Sequence, residues 1–332
     1  MPARLTVHLP AHPARVFLLP DGRPTVVGRD RECDIVLDDD RVSRRHAVLS
    51  PSASGWSIAD LASKNGLSVD GLPCTNATLE ERCWLSLGGL IARFELFSGS
   101  IEEAQEDERR RFSTSIALRR RLSPEAGLGA LLPQVVASML ELTNAERGFL
   151  LLADERGDLT VAARSGLSWD DLSEREFSGS LGAVESVLAT GAPVVSGDAR
   201  ADAELGARAS VLGIGIRALL CVPIHALDRR IGVMYADSRA PGAAFTELDL
   251  EILEALAAQA GLAIAVARLD GELKGLAHRI GELPGADPTA RDRLAEATSR
   301  LVERSLQEAE PAAWRSRRWS VADLEPAAGA RP

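Results

Sequence analysis

Lysine is nearly missing from this sequence of 332 residues: it holds two, Lys64 and Lys274, and the other 36 of its 38 basic residues are arginine. A Walker A loop needs a lysine between a glycine and a serine or threonine, and neither lysine has that context. The strand lysine context and the HRD and DFG motifs of protein kinases are also missing. The sequence therefore excludes an ordinary ATPase and an ordinary kinase.

Cysteine and histidine are scarce and scattered. The four cysteines have no CxxC spacing, and the five histidines form no HExxH motif or other paired-ligand cluster. We therefore expect no metal site, no disulfide framework and no cofactor. A GxSxG elbow and a Cys–His pairing are missing too, so we expect no catalytic residues and a protein that is not an enzyme.

Acidic residues outnumber basic ones by 48 to 38, which gives a net charge of −10. An acidic total argues against nucleic acid as a partner, because nonspecific binding depends on basic surface that neutralises phosphates.

The most apolar stretch, Ile252–Val266, is interrupted by Glu254 and Gln259 and is too short to span a bilayer. We therefore expect a cytoplasmic protein with no membrane partner.

The first 98 residues predict β-structure. Short apolar runs recur about every ten residues and are separated by the turn sequences PDGR, SPSASG and SKNG, which is typical of an all-β sandwich. Residues 99–124 carry an acidic block followed by a basic block. This pattern predicts a charged linker that is helical in part.

Residues 125–268 predict a second unit of α+β type. Apolar residues from Gly127 to Leu142 recur at helical spacing, and apolar strands then alternate with helical stretches. The last helix of this unit begins near Thr246, an expected N-cap with Asp249 three residues further on. The fold class is therefore multidomain: an all-β sandwich, an α+β unit and a C-terminal helical segment.

The C-terminal segment, residues 269–308, continues a regular apolar stripe. A 4-3 spacing like this one indicates either a coiled coil that pairs two chains or an amphipathic helix lying on its own domain. Residues 309–332 are rich in proline, alanine and charge, and we expect a disordered tail there. The stripe comprises Leu262, Val266, Leu269, Leu273, Leu276, Ile280 and Leu283.

Three motifs in the first unit carry the residue types that bind a phosphate group. They are Gly28-Arg29, the segment Ser43–Ala47, and Ser63–Gly66. Loops at one end of a sandwich converge, so we expect these motifs to surround one small anion. Arginine and lysine supply cations, serine supplies a hydroxyl donor, and an asparagine both donates and accepts, which suits a peptide backbone.

On these motifs, residues 1–98 resemble the forkhead-associated (FHA) domain. The resemblance implies a β-sandwich whose apical loops bind phosphothreonine peptides. Two positions depart from the family pattern: Lys64 stands where Thr or Ser is also common, and Leu67 replaces a frequent Thr. By the resemblance, Arg29 and Ser43 bind the phosphate, Arg44 and Lys64 assist, Asn65 binds the peptide backbone, and Gly28, His46 and Gly66 are structural residues of the binding loops.

Residues 125–268 resemble a GAF domain through AERGFLLLAD, GIRALLCVPIHALDRRIGVMYAD and the helix after Phe245. The resemblance implies a central antiparallel sheet packed with helices, with small-molecule sensing or dimerisation as its role. Phe245 and Asp249 match part of the signature of cyclic-nucleotide-binding members, but Leu250 replaces its Glu and the domain holds no lysine. The ligand of this domain therefore stays unknown.

An FHA-like domain followed by a GAF-like domain favours a non-enzymatic signalling adaptor. Its expected partner is a threonine-phosphorylated protein, either a Ser/Thr kinase or a substrate of one, and the expected assembly is a homodimer. The alternative is a regulatory component of transcription control, related to FHA–GAF activators but lacking their ATPase and DNA-binding domains.

Two hydroxyl residues follow runs of arginine, Thr114 in the linker and Ser320 in the tail. They are either phosphorylation sites for a Ser/Thr kinase or parts of solvated charge runs.

Overall fold

Alternating burial builds the strands of the first domain. In β1 (Ala3–Val7) the residues Ala3, Leu5 and Val7 are buried, while Arg4 and Thr6 lie on the opposite, half-exposed face. This period of two lets one face of a strand enter a core. The computed structural model describes residues 1–9, 11–53, 55–119, 127–154, 158–167, 178–196, 215–226, 229–240 and 242–281.

The first eleven strands form two sheets around one apolar core. One sheet has the order β2-β1-β11-β10-β7-β8 and the other β4-β3-β5-β6-β9, and neighbours are antiparallel except for β3 and β4. The sandwich predicted for this part of the chain is confirmed. The further strands are β2 (Arg15–Leu19), β3 (Thr25–Gly28), β4 (Ile35–Val36), β5 (Ala47–Ser52), β6 (Gly55–Asp60), β7 (Leu67–Val69), β8 (Leu72–Cys74), β9 (Asn76–Leu79), β10 (Arg82–Leu87) and β11 (Leu90–Leu96).

The tight hairpin between β7 and β8 shows why particular residues stand at a turn. Asp70 and Gly71 join β7 to β8 with φ values of 48° and 79°. A two-residue hairpin with positive φ at both positions matches the right-handed twist of its strands and favours the pair Asp-Gly. The turn sequence thus sets the register of this edge of the sheet.

The segment expected to be a charged linker is a helix over most of its length. Helix α1 (Ile101–Arg119) begins in a capping box, in which Ser100 N donates to Glu103 Oε2 and Glu103 N donates to Ser100 Oγ. Arg111 fixes this helix to the second domain, because its Nη2 donates to the carbonyl oxygen of Leu142 at 3.0 Å and to Asp249 Oδ1 at 2.7 Å.

The second domain has a five-stranded antiparallel sheet of order β13-β12-β16-β15-β14 with helices on both faces. Every residue of β12 is buried, as expected for a strand that is covered on both sides. The α+β architecture predicted for this unit is confirmed. The elements are α2 (Leu128–Thr143), β12 (Arg147–Ala153), β13 (Leu159–Ser165), α3 (Ser178–Thr190), β14 (Val194–Ser196), β15 (Ala218–Ala226), β16 (Arg229–Ser238) and α4 (Glu247–Gly281).

Helix α4 covers one face of that sheet beside α2 and runs on without a break past residue 268. A Cβ on Gly261 would meet the carbonyl oxygen of His225 at 1.9 Å, so only glycine lets the helix approach β15 this closely. Within Glu247–Leu273, an 18-residue window of this helix has a mean hydropathy of 1.7, so the helix is long and apolar enough to cross a membrane by these measures alone. This window is longer than the apolar stretch Ile252–Val266 that the sequence shows. Half of the window is buried inside the protein, as in a core helix.

The two domains touch at the start of α4. Ala14 N donates to the carbonyl oxygen of Phe245 at 2.7 Å, and Arg93 Nη1 donates to that of Gly242 at 3.3 Å. The expected tail, residues 309–332, and residues 282–308 of the expected helical segment lie outside the described residues.

Candidate phosphate-binding site

Three loops at one end of the sandwich are held together by hydrogen bonds between their motifs. Arg29 N donates to the carbonyl oxygen of Ser43 at 2.9 Å, which joins the β3–β4 loop to the β4–β5 loop. Lys64 N donates to Ser43 Oγ at 2.9 Å, which joins the β6–β7 loop to the same serine. The structure therefore brings Arg29, Ser43 and Lys64, far apart in sequence, to one place.

His46 lies fully buried behind this site. Ser43 N donates to His46 Nδ1 at 3.0 Å, so Nδ1 carries no proton and the proton sits on Nε2. Nε2 then donates to the carbonyl oxygen of Gly66 at 3.0 Å. The neutral imidazole thus connects the loop of Ser43 to the loop of Gly66 and fixes the distance between them.

Two glycines allow the backbone approaches that the site needs. A Cβ on Gly28 would meet the carbonyl oxygen of Arg44 at 2.2 Å, so any other residue would push the two loops apart. Gly66 has a φ of +77°, a region that favours glycine. Both positions shape the loops that carry the cations.

Arg29 and Asn65 both engage the β4–β5 loop in this structure. Arg29 Nη1 contacts Asp40 Oδ1 at 2.7 Å, and Asn65 Nδ2 donates to the carbonyl oxygen of Arg41 at 2.8 Å. The Asp40 side chain is 96% exposed, so this ion pair is weak and a dianionic phosphate can displace it. Arg29 keeps the remaining donors of its planar fork for such an anion.

The remaining predicted cations point to solvent. Within the described part of the chain, the Lys64 ammonium and the Arg44 guanidinium are exposed and have no hydrogen-bond or ion-pair partner. Unpaired cations beside a serine hydroxyl attract an anion by charge and by hydrogen bonding. The arrangement suits reversible binding of a phosphate group and holds no nucleophile–base pair of the kind that acyl-transfer enzymes use.

Sequence reasoning missed the residues that shape the β6–β7 loop from within. Asp60 accepts from Ser63 N at 3.1 Å and from Ser63 Oγ at 2.5 Å, and Gly66 N donates to Ser63 Oγ at 3.0 Å. A signal for this turn was present, since an aspartate three residues before a serine is an ordinary side-chain turn pattern. Asp40 and Arg41 were missed because only the folded loop places them beside Arg29 and Asn65.

The second domain has a cleft of its own. It has a volume of about 390 Å³ on the flank of α4, and its lining includes His225 and Glu254. Burial and the nearby Arg230 lower the pKa of His225. The Cys221 thiol is fully buried, and this burial raises its pKa, so it is an unreactive core residue.

The residues compared with the cyclic-nucleotide signature have structural roles. Phe245 lies in the apolar core, 2% exposed. Asp249 forms the predicted capping box: its Oδ2 accepts from Thr246 N at 2.8 Å, and its own N–H donates to Thr246 Oγ1 at 3.3 Å. Among the residues that the structure describes, no group of three His, Cys, Asp or Glu side chains is placed to hold a metal ion.

The two expected phosphorylation sites stay predictions. Thr114 lies in helix α1, and Ser320 lies outside the described residues.

We expect His46→Ala to lower the free energy of unfolding of the sandwich by about 2–3 kcal/mol, because the part-buried N–H of Ser43 loses its acceptor and a cavity opens at the fully buried imidazole. Urea unfolding of the full chain measures this loss. The matched control is His12→Ala, which removes an exposed imidazole from a nearby loop and should change stability by under about 0.5 kcal/mol. Equal effects of the two variants would contradict the bracing role.

Comparison with known proteins identifies two domains in this chain. A model described as FHA domain matches residues 25–88, and a model described as GAF domain matches residues 127–264. The FHA domain-containing protein FhaB of Mycolicibacterium smegmatis is 44% identical over 55 residues, which are 17% of this chain and 36% of that protein. An oxoglutarate dehydrogenase inhibitor of Corynebacterium jeikeium is 35% identical over 86 residues, 26% of this chain and 58% of that protein.

Among solved structures, the FHA domain of CT664 from Chlamydia trachomatis is 31% identical, covers 30% of this chain and 100% of that chain, and has a TM-score of 0.28. The curated relatives are matched over 36% and 58% of their own length, and each match covers about a quarter of this chain or less.

Proposed function

We propose that this chain, an FHA domain followed by a GAF domain, is a non-enzymatic signalling adaptor that binds threonine-phosphorylated partner proteins. The observation that carries the proposal is the convergence of Arg29, the Ser43 hydroxyl and the Lys64 N–H at one end of the sandwich. The partner is a Ser/Thr kinase or a substrate of one. The protein acts in the cytoplasm, where its four free cysteines stay reduced.

The charge of the ligand explains the affinity that such an adaptor needs. A phosphothreonine carries about −1.5 to −2 charges at neutral pH, and each hydrogen bond to it contributes about 1.5–3 kcal/mol. Two or three such bonds sum to about 3–9 kcal/mol, a large part of the roughly 8 kcal/mol that a micromolar dissociation constant requires, and contacts to the peptide backbone supply the rest and offset the cost of association. Binding of this strength is reversible, as a phosphorylation-dependent contact must be.

Titration of the full chain with a degenerate phosphothreonine peptide library and with its unphosphorylated twin tests this function. We expect binding of the phosphorylated library on the order of micromolar and at least about a hundredfold weaker binding of the twin. A phosphoserine library is the second comparison. Equal affinity for phosphorylated and unphosphorylated peptides would overturn the proposal.

The GAF domain is proposed to pair two copies of the chain through α4. Leu262 and Val266 on this helix are 51% and 44% exposed, although both are large and apolar. They continue in the apolar stripe through Leu269 and Leu273, and a stripe of this spacing is buried when two helices pair. Small-molecule sensing by the same domain stays part of the proposal, with its ligand unnamed.

We expect Leu262→Glu to convert a dimer to a monomer, because the charge would be buried in the seam. Light scattering coupled to size-exclusion chromatography measures the mass. Leu72→Glu is the matched control, since Leu72 is 73% exposed at a hairpin of the other domain, and it should leave the mass unchanged. A wild-type chain that is monomeric at high micromolar concentration would end this part of the proposal.

A further inference from the structure

The contact between the two domains is buried on both sides. Ala14, 1% exposed, donates its N–H to the carbonyl oxygen of Phe245, which is 2% exposed, at 2.7 Å. Ala14 also pairs with Thr246 in a parallel bridge. A buried backbone hydrogen bond is costly to break without a replacement. A displacement of the start of α4 therefore displaces Ala14 as well.

The start of α4 is itself fixed by a small set of polar contacts. Asp249 Oδ2 accepts from Thr246 N and Thr246 Oγ1 at 2.8 and 2.7 Å, while its Oδ1 accepts from Arg111 at 2.7 Å. Asp249 is buried, at 4% exposed, while the Arg111 side chain that donates to it is 47% exposed. Asp249 thus holds the first turn of α4, helix α1 and the Phe245 carbonyl in one arrangement.

Hydrogen bonds continue from Ala14 to the phosphate site. We call Ala14–Arg15 the strap. Arg15 Nη1 donates to the carbonyl oxygen of Val36 at 3.1 Å, and Leu37 N donates to that of Gly28, the neighbour of Arg29, at 2.9 Å. The strap and the β4–β5 loop face each other across a cleft of about 340 Å³ that Arg15 and Arg41 both line.

The strap bonds to Val36, the last residue of β4, and the β4–β5 loop that follows Val36 carries much of the site. Asp40 contacts Arg29, the carbonyl oxygen of Arg41 accepts from Asn65, and Ser43 follows two residues later. A shift at Val36 is therefore transmitted to several binding groups together. A second interdomain hydrogen bond, from Arg93 to the carbonyl oxygen of Gly242, is made from β11, a strand that holds none of the predicted site residues.

We propose that the strap couples the start of α4 to the phosphate site, so that the state of the GAF domain sets the affinity of the FHA domain for its ligand. The inference rests on the proposed function for the nature of that ligand. Coupling of this kind is reciprocal: an event that moves α4 changes phosphopeptide affinity, and a bound phosphopeptide changes the start of α4. The event is either pairing with a second copy or binding of a small molecule.

A ligand-free measurement tests the coupling first. Asp249→Ala removes the cap of α4, and hydrogen–deuterium exchange then reports on the amides of Leu37, Asp39 and Val42, which are hydrogen-bonded in the β4–β5 loop. We expect their exchange to accelerate at least about fivefold, the lower end of ordinary coupling. Unchanged exchange in that loop would overturn the inference.

Three further variants make this test specific. Glu247→Ala removes an exposed carboxylate from the same helical turn outside the cap and should leave the loop unchanged. Arg15→Ala breaks the strap, and in that background Asp249→Ala should have no additional effect on the loop. If Asp249→Ala accelerated loop exchange equally in the Arg15→Ala background, the coupling would not pass through the strap, and the inference would be overturned. Asp249→Asn, which keeps one acceptor oxygen, guards against a variant that unfolds.

The second arm adds a phosphothreonine peptide to the wild-type chain. We expect slower exchange at Thr246–Ile252 when the peptide is bound, and no such change in Arg15→Ala. Bound peptide without a change at α4 would contradict the coupling. Failure of every phosphothreonine peptide to bind would instead contradict the proposed function, while the ligand-free arm would still decide the coupling.

Discussion

Arg29→Ala is expected to weaken binding of a phosphothreonine peptide by about a hundredfold or more while the sandwich stays folded. The guanidinium offers two parallel hydrogen bonds to phosphate, each contributing about 1.5–3 kcal/mol. Folding does not depend on this side chain, because it is 42% exposed and its contact to Asp40 is a surface ion pair. Calorimetric titration of the full chain measures the loss.

Arg23→Ala is the matched control for that experiment. Arg23 pairs with Asp34 at 2.7 Å in the same domain, and its side chain is 66% exposed, so the substitution removes one positive charge without touching the site. We expect affinity within about twofold of the wild type. If the two variants bind alike, Arg29 does not contact the phosphate.

Arg147→Met is expected to cost the second domain about 3–5 kcal/mol of stability, because it leaves a buried charge without its partner. Arg147 Nε donates to Asp237 Oδ1 at 2.7 Å, and the two side chains are only 6% and 1% exposed. Burial raises the pKa of Asp237, and the hydrogen bond and charge of Arg147 oppose that rise. Urea unfolding with a double-mutant cycle through Asp237→Leu measures the coupling.

The same variant has a defined pH dependence. Burial already holds the folded pKa of Asp237 above its unfolded value, and removal of Arg147, which opposes that rise, raises this pKa further. Stability then falls as pH rises through that pKa, and the deficit against the wild type should be smaller at pH 5 than at pH 7. Arg82→Met, which removes one of the two arginine partners of Glu95 at a 72% exposed position and leaves the other, Arg93, in place, should show neither the large cost nor this pH dependence.

The loops of the candidate site could be located from the sequence because each depends on local chemistry. Glycine at position 28, serine at 43 and the Lys64-Asn65 pair stand beside turns that the neighbouring residues encode. Helix α2 was likewise predictable, since its apolar residues recur at helical spacing over four turns. In both cases the signal lies within a short stretch of chain.

What the sequence left open depends on contacts between distant residues. Helix α1 has little apolar character, and its anchor is the tertiary bond from Arg111 to Asp249, 138 residues away. The bond from Ala14 to Phe245 likewise joins two loops whose sequences carry no sign of each other. The ion pair between Arg29 and Asp40 likewise forms only when two loops come together in the folded protein, and no local sequence pattern predicts it.

Because α1 is a helix, the chain is also less susceptible to proteolysis in this segment. Residues Arg109, Arg110 and Arg111 would be ready targets for trypsin in an extended linker, since enzymes of this kind cut exposed, locally unfolded segments. In a capped helix that is bonded to the second domain, cleavage there requires the helix to open first. The rate of tryptic cleavage after these arginines therefore reports how readily helix α1 opens, and it does not report the exposure of the arginine side chains.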